Sequence, residues 1–324
     1  EDFDFTEERR FSRKVISGRY RVTRYIGHGG MGEVYQAYDS TADEMVAVKF
    51  LLEREFETDE ELRKHRKRFR KECQTLARLK SPFIVGFVDD EEADDGTPAL
   101  VMELLRGQTL ADLLRREKRL SMEQIVDIAV PVCKALQVAH DKGFVHRDLK
   151  PGNIFLHDNG DGKRVVKVVD FGIAKILDDE LSQTSATSVH EILGTCAYMS
   201  PEHCHFGLFS QRSDLFSLGT ILYQMVSGRL PFDRSNHIAI INAIIHEDRS
   251  PFPDGLDVPP GLEKLIDQLL QKDPGKRPAD AREVERILLS ACGELPSETI
   301  RLSTEDMEWL VGAELAPSAG PTSI

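Results

Sequence analysis

Charged and hydrogen-bonding side chains are concentrated at residues 145–156, VHRDLKPGNIFL, between two apolar pieces. The polar centre of this stretch contains His146, Arg147, Asp148, Lys150 and Asn153. A loop built for chemistry brings such groups together. Pro151 and Gly152 are ordinary turn residues, so a solvated loop between two strands is the alternative interpretation.

A second acidic group follows a strand-like run, because Asp170 comes directly after KRVVKVV. A single aspartate–glycine turn is common and means little alone. Asn153, however, precedes another short apolar strand, so the two residues place oxygen ligands at neighbouring strand ends. Such a pair suits the hard cation Mg²⁺, with water and phosphate completing its coordination.

A glycine cluster near the start of the chain, GHGGMG, places Gly27, Gly29 and Gly32 in a GxGxxG pattern. In a dinucleotide-binding fold these glycines lead from a strand into a helix. Here the strand-like EVYQAY follows, and residues 46–49 return beside it. The glycines therefore cap a hairpin whose backbone N–H groups can lie close over phosphate oxygens. A simple turn is the alternative.

Lys49 ends the alternating stretch MVAVK, where a lysine is ordinarily a solvated edge charge. Glu72 offers it a partner, because it follows Phe69 by three residues and precedes Leu76 by four, on the apolar face of a predicted helix. A carboxylate that faces inward must be paired. Pairing of Glu72 with the many local arginines at the surface is the alternative.

The elements that position these residues change character along the chain. Residues 20–49 alternate like a strand meander, a helix follows around residues 69–79, and strands are predicted at 84–90 and 99–105. Helical periodicity dominates from residue 110, with apolar stripes at 121–140, 213–228 and 261–271. A small β lobe therefore precedes a larger helical lobe.

Composition limits the functional classes. The 324 residues, of which 40% are hydrophobic, are enough for one large domain or two lobes. The net charge of -13 argues against nucleic acid as a partner. A basic run at residues 63–71 follows an acidic run at 53–61, and we interpret the pair as a solvated helix face beside an oppositely charged loop.

The apolar runs and the cysteines indicate the compartment. The longest apolar runs, such as residues 83–88, are far shorter than a membrane helix requires. Five cysteines without CxxC spacing indicate reduced thiols in the cytoplasm. Because the chain begins with Glu1, we expect a processed or excised segment, with a membrane contact only through other parts of a longer parent.

Taken in order, the motifs resemble those of the protein kinase family. The resemblance runs from about residue 19 to residue 289 and includes GHGGMGEVY, VAVK, HRDLKPGN, DFG, SPE and KDPGKRP. The forms GHGGMGEVYQAYD and GTCAYMSPE look most like the bacterial eukaryotic-like serine/threonine kinases. The resemblance implies a two-lobed α+β fold that transfers the γ-phosphoryl group of ATP to protein hydroxyls.

The resemblance also assigns roles. Asp148 is the expected base for the substrate hydroxyl, and Lys150 steadies the transferring phosphoryl group. Lys49 holds the ATP phosphates and Glu72 holds Lys49, while Asn153 and Asp170 bind Mg²⁺, with Mn²⁺ as the alternative ion. The residues expected at the ATP site are Ile26, Gly27, His28, Gly29, Gly30, Met31, Gly32, Val34, Ala47, Lys49, Met102, Glu103, Leu105, Phe155 and Asp170.

Two residues of the resemblance indicate serine and threonine as acceptors: Lys150 in HRDLKPGN, and Thr195 near the base. Ser200 replaces the usual alanine before the PE pair, a small-for-small change. Two structural roles are implied as well: Glu202 pairs with Arg277, and Asp214 holds the catalytic loop from below.

Regulation is expected between Asp170 and Glu202, where hydroxyl residues crowd the chain. Arg147 and Lys175 resemble the basic residues that kinases direct at an activation-loop phosphate. Thr187 and Thr184 are the expected autophosphorylation sites, and Glu191 supplies a carboxylate that partly replaces a phosphate. A merely flexible polar loop is the alternative.

The expected domain boundaries follow from the resemblance. Residues 1–18 form an N-terminal extension, 19–292 the kinase domain with lobes 19–103 and 106–292, and 316–324 a disordered tail. Within the extension 293–315, an apolar stripe with Trp309 predicts a helix that docks on the lobes, on a second copy or on a partner, and a frayed tail is the alternative. The rival function is a nucleotide-binding pseudokinase scaffold, and a non-kinase interaction module is more remote.

Overall fold

The computed structural model describes residues 11, 14–29, 32–51, 59–160, 164–171 and 196–293. The strands are β1 (Val15–Ile16), β2 (Tyr20–Gly29), β3 (Gly32–Asp39), β4 (Glu44–Leu51), β5 (Phe87–Glu92), β6 (Pro98–Glu103), β7 (Gly107–Thr109), β8 (Ile154–Asp158) and β9 (Arg164–Val168). The α-helices are α1 (Asp59–Arg78), α2 (Leu110–Glu117), α3 (Met122–Asp141), α4 (Pro201–Phe206), α5 (Gln211–Ser227), α6 (His237–His246), α7 (Pro260–Leu269) and α8 (Ala281–Cys292). This β-rich first part and helical second part confirm the expected α+β fold.

The first part is an antiparallel sheet in the order β1-β2-β3-β4-β6-β5. Its two ends are joined by side chains: Arg19 and Tyr20 both donate to Asp89 on β5, and Ser17 donates to Glu91. The sheet therefore curls until its edges meet. The acidic residues of β5 supply the acceptors for this closure.

The two faces of β4 belong to different cores, as the period of two in a strand requires. Val46, Val48 and Phe50 lie in a small core enclosed by the curled sheet. Leu51, on the alternate face, belongs to the larger core that continues into the helical part. Lys49 shares the face of Leu51, so β4 presents its lysine towards the second part of the chain.

Helix α5 is buried along most of its length and is the centre of the helical part. A Cβ on Gly219 would lie 2.6 Å from the Cβ of Leu269, so only glycine permits this distance between α5 and α7. Helices α3, α5 and α7 coincide within two residues with the predicted helices. Ser121 begins α3 with a capping box, which accounts for the clear start signal in the sequence.

A small sheet in the order β7-β8-β9 carries the polar motifs. A 3₁₀ turn at Pro151–Asn153 leads into β8, and Asp170 follows β9 by two residues. Ile154 pairs with Val168 across the hairpin, and the Val169 amide donates to the Asn153 carbonyl over 2.9 Å. This register brings the ends of the two strands together, as the sequence predicts.

The strand predicted from residue 84 begins later, at Phe87. The preceding residues bond to β9 instead: the Val85 amide donates to Val168 O over 3.0 Å, and the Val168 amide donates to Phe83 O over 2.8 Å. All five cysteines carry free thiols. Among the described helices, none has the length and apolar character that a membrane crossing needs.

Candidate active site

Three residues of the polar loop form one hydrogen-bonded group. The Lys150 Nζ lies 2.9 Å from Asp148 Oδ2, and Asn153 Nδ2 donates to the Asp148 carbonyl over 2.8 Å and to its Oδ2 over 3.3 Å. Asp148 is half-buried, so its carboxylate still reaches solvent. The arrangement holds a carboxylate and an ammonium group side by side in the loop that precedes β8.

The loop is held in place from below by the buried carboxylate of Asp214. It accepts the backbone N–H groups of His146 (2.8 Å) and Arg147 (2.9 Å), as well as His140 Nε2 (2.8 Å). Arg147 has a φ of 68°, which a residue with a side chain rarely adopts. These bonds stabilise the strained backbone immediately before Asp148, as the sequence predicts for Asp214.

His146 connects this loop to the strand that ends at Asp170. Its Nε2 donates to the Val169 carbonyl over 3.1 Å, so its Nδ1 is the acceptor for the Asp148 amide at 3.3 Å. Burial lowers the pKa of His146, which favours the neutral ring. The His146 ring also packs against Phe171, with 4.6 Å between the centroids.

Lys49 reaches across from β4 to Asp170, with 2.8 Å between Nζ and Oδ1. Lys49 is 5% exposed, whereas the side chain of Asp170 is 47% exposed. The charge of Lys49 is the main cause that lowers the pKa of Asp170, so the carboxylate is ionised. Glu72 lies on α1, but its side chain is outside the described part, so its pairing with Lys49 stays a prediction.

The glycine motif is a hairpin, because β2 and β3 pair through Gly29 and Gly32. A Cβ on Gly32 would lie 2.2 Å from the Phe50 carbonyl oxygen, so this position requires glycine. Ile26 is exposed before the first glycine, and His28 pairs with Glu33. Gly30 and Met31 lie outside the described residues.

Four of the predicted nucleotide contacts share one face of the sheet. Val34 pairs directly with Lys49, and Ala47 pairs directly with Met102. Directly opposed residues project to the same side, and Ala47 and Lys49 are two residues apart on β4. The register therefore aligns Val34, Lys49, Ala47 and Met102 on the face that leads to Asp170.

The other predicted wall is Phe155 on β8, which lies between the buried residues Ile154 and Leu156 and is itself partly exposed. Phe155 pairs with Thr109 on β7 and with Lys167 on β9. Phe155 therefore lies on the β7-β8-β9 sheet, which is in the second part of the chain.

Glu103 ends β6 and connects the two parts, and Leu105 follows it, partly buried. Glu103 Oε1 accepts from the Gly86 amide at 2.6 Å and from Lys167 Nζ at 2.8 Å. Lys167 and Gly86 were not among the residues that the sequence suggested. A signal existed for Lys167, because a lysine inside the apolar run VVKVV must find a partner when the strand is buried.

The guanidinium of Arg147 lies over the ring of Phe209, 5.0 Å from its centroid, and His203 packs on the same ring at 4.1 Å. Phe209 is a third residue that the sequence did not suggest. Lys175, Thr184, Thr187, Glu191 and Thr195 lie outside the described residues, so their expected roles stay predictions.

Glu202 and Arg277 form the pair that the resemblance implies, with each terminal guanidinium nitrogen 2.8 Å from a carboxylate oxygen. Burial alone raises the pKa of Glu202, but the bonds and charge of Arg277 outweigh it and the net shift is downward. Ser200 accepts from the His203 amide and begins α4, so its hydroxyl has a capping role that alanine lacks.

The comparisons with known proteins agree with this geometry. The family described as Protein kinase domain matches residues 20–288. The chain is 37% identical over 272 residues to serine/threonine-protein kinase pkn3 of Myxococcus xanthus, covering 83% of this chain and 49% of the relative. It is 39% identical over 267 residues to serine/threonine-protein kinase PknA of Mycobacterium tuberculosis, covering 81% and 59%.

A third relative is the probable serine/threonine-protein kinase PknB of Corynebacterium glutamicum, 34% identical over 290 residues, with 88% of this chain and 43% of the relative covered. The chain thus spans about half the length of the curated relatives that it matches.

Proposed function

The chain belongs to the protein kinase family, and from this premise we propose that it transfers the γ-phosphoryl group of ATP to serine and threonine hydroxyls of proteins. The observation that carries the proposal is the bonded group of Asp148, Lys150 and Asn153 at one strand end, with Lys49 and Asp170 paired beside it. The names of the relatives support serine and threonine as acceptors.

The nucleotide would lie between the two parts of the chain. Val34, Ala47 and Met102 offer adenine an apolar ceiling, and Phe155 offers the floor. Backbone groups at Glu103 and Leu105 would meet the adenine edge. The glycine hairpin supplies backbone N–H groups to the phosphates, and Lys49 supplies a buried positive charge.

Asp148 would accept the proton of the substrate hydroxyl as that oxygen attacks the γ-phosphorus. Its carboxylate is oriented by Asn153 and by the loop geometry that Asp214 holds. Lys150, 2.9 Å away, would stabilise the charge on the transferring oxygens. Because these groups are positioned before the substrate arrives, little reorganisation is needed at the reaction.

Asn153 and Asp170 would hold Mg²⁺, or Mn²⁺ in its place. The donor chemistry fits: the amide nitrogen of Asn153 is used on Asp148, which leaves its oxygen for a cation, and Asp170 is an ionised carboxylate. When bound, the ion neutralises charge on the β- and γ-phosphates. In this structure the ionised Asp170 carboxylate pairs with Lys49.

The segment between Asp170 and Glu202 would be controlled by autophosphorylation at Thr187 and Thr184. Arg147 and Lys175 would receive the phosphate through charge-assisted bonds, and Glu191 would provide part of that negative charge without modification. Arg147 lies beside Asp148 in sequence, so ordering of the segment acts close to the base. The expected compartment is the cytoplasm, where ATP and protein substrates are available.

The transfer step is tested with Asp148→Asn, which removes the proton acceptor and keeps the pocket. We expect turnover to fall by at least about 100-fold, with the Kd for ATP nearly unchanged. Lys49→Met should also abolish transfer. Radiolabel transfer to a generic basic protein, followed by phosphoamino-acid analysis, measures both rate and acceptor.

Asp267→Asn is the matched control, because Asp267 is exposed and pairs with Arg249 on the surface of the helical part. Equal turnover in wild type, Asp148→Asn and Asp267→Asn would contradict the kinase assignment. Tight ATP binding with no turnover in wild type would favour the scaffold. Label on tyrosine would contradict the acceptor class.

Regulation is tested by mass spectrometry of the active protein and by Thr187→Ala. We expect phosphate at Thr187 and Thr184, partial loss of activity in Thr187→Ala, and a further loss when Glu191→Ala is added. A fully active Thr187→Ala, together with unmodified Thr184 and Thr187, would contradict this mode of control.

A further inference from the structure

Lys167 connects the small β7-β8-β9 sheet to the end of β6. Its side chain is 13% exposed, and its Nζ lies 2.8 Å from Glu103 Oε1. Glu103 is the last residue of β6 and Lys167 is the fourth of β9, so the ion pair joins elements of the two parts of the chain. A charge pair at this depth is screened less than one on the surface.

The same carboxylate holds a third segment. Gly86 donates its N–H to Glu103 Oε1 at 2.6 Å and accepts the Glu103 N–H at 2.9 Å. The neighbouring residue Val85 bonds in turn to Val168 O on β9. Three separate stretches of backbone therefore meet at Glu103, and Lys167 supplies the only positive charge among these bonded groups.

The position of Lys167 in the hairpin relates this contact to the nucleotide. Lys167 pairs directly with Phe155, the proposed floor of the adenine site, and precedes Asp170 by three residues. Its backbone thus belongs to the hairpin that carries the floor, while its side chain bonds to the carboxylate of Glu103, whose backbone would meet the adenine edge. The ion pair thus connects the two strands that carry these surfaces.

Loss of the lysine would loosen this connection without dismantling the fold. Glu103 is 31% exposed, so its carboxylate would gain water when Lys167 is absent and would not be stranded in an apolar core. The Gly86 bonds would remain. The expected consequence is greater freedom of the segment that follows Glu103, which would weaken nucleotide binding more than it would slow the transfer step.

We propose that Lys167 is a positioning residue for the nucleotide, which acts through Glu103 to hold the adenine-facing backbone at a fixed distance from Phe155. The inference rests on the proposed function in that ATP is the ligand. It adds a residue that the kinase motifs of this chain do not include, and it assigns to Glu103 a side-chain role beside its backbone role.

The test compares Lys167→Met, which keeps the length of the side chain and removes the charge, with Lys167→Arg, which restores the charge. For Lys167→Met we expect the KM for ATP, and the Kd of a non-hydrolysable ATP analogue, to rise about fivefold, with kcat within about twofold of wild type. Lys167→Arg should recover most of the affinity. If Lys167 had only a structural role, Lys167→Met would lower the melting temperature without raising the KM for ATP at a nearly constant kcat.

Arg282→Met is the control, because Arg282 forms an exposed ion pair with Asp141 between α8 and α3. It should leave both KM and kcat unchanged. Glu103→Gln in the Lys167→Met background should add little, since the two residues act through one contact. If Lys167→Met does not fold, Lys167→Gln takes its place with the same expected direction.

An unchanged analogue Kd in a folded Lys167→Met or Lys167→Gln protein would overturn the inference, and so would an arginine variant as weak as the methionine variant. The analogue Kd requires no turnover, so it separates two failures. A wild type that binds the analogue and transfers nothing refutes the proposed function alone. A wild type that transfers normally, with unchanged affinity in the variants, refutes the positioning role alone.

Discussion

Phe11 is buried in the small core inside the curled sheet, and its substitution tests how much that core contributes to stability. Its ring is 1% exposed and stacks on Phe50, with 3.9 Å between centroids and 3° between planes. Tyr35 approaches it edge-on at 6.0 Å. Phe11→Ala would therefore remove a ring that two aromatic partners contact, and would open the end of the core.

The size of the effect follows from the buried area. An aromatic side chain buries roughly 150–250 Å², which at about 25 cal/mol per Å² corresponds to about 4–6 kcal/mol. Substitutions of buried phenylalanine by alanine cost about 3–5 kcal/mol. We therefore expect a loss of about 3 kcal/mol, at the lower end of that range. For a domain of this size that corresponds to about 6 °C in Tm.

The assay is thermal unfolding of wild type, Phe11→Ala, Phe11→Leu and Val15→Ala. Val15 is the matched control, because it lies on the same segment and is 42% exposed. We expect Phe11→Leu to recover about half of the loss, since leucine refills most of the volume without the stacking. Equal Tm values for Phe11→Ala and Val15→Ala would refute the reasoning, because burial of the ring would then contribute nothing.

Two further outcomes follow from the sheet. Gly32→Ala should lower Tm and weaken nucleotide binding, because its Cβ would collide with the Phe50 carbonyl. Gly27→Ala is the control and should leave Tm unchanged, because no atom lies within 4 Å of the added Cβ. Equal losses of Tm in the two variants would argue against the collision. The Arg19 bonds lower the pKa of Asp39 to about 2, so the pair stabilises the fold above about pH 4 and this contribution is lost as pH falls towards 2. Asp39→Asn should flatten that part of a Tm-against-pH curve, and an unchanged slope would contradict it.

Hydrophobic periodicity along the sequence was sufficient to predict most of the helices and strands of this chain. Helices α3, α5 and α7 are rich in apolar residues at helical spacing, and Ser121 caps α3, so their positions could be predicted without a partner. The strand predicted from residue 84 was misplaced for the converse reason. Residues 83–85 are apolar and strand-like, but their bonds go to Val168, more than 80 residues further along the chain.

The chemical groups of the site and their order can be read from the amino-acid sequence, since the motifs around Gly27, Lys49, Asp148 and Asp170 are each contained in a few consecutive residues. Tertiary structure alone decided which of these groups meet. Lys49 contacts Asp170 across 121 positions of sequence, and Lys167 contacts Glu103 across 64. Such contacts depend on how whole elements pack, and spacing along the chain holds no record of that packing. The face on which a side chain lies follows from the periodicity of its own helix or strand. The residue that it contacts depends on the burial and register of elements that are distant in sequence.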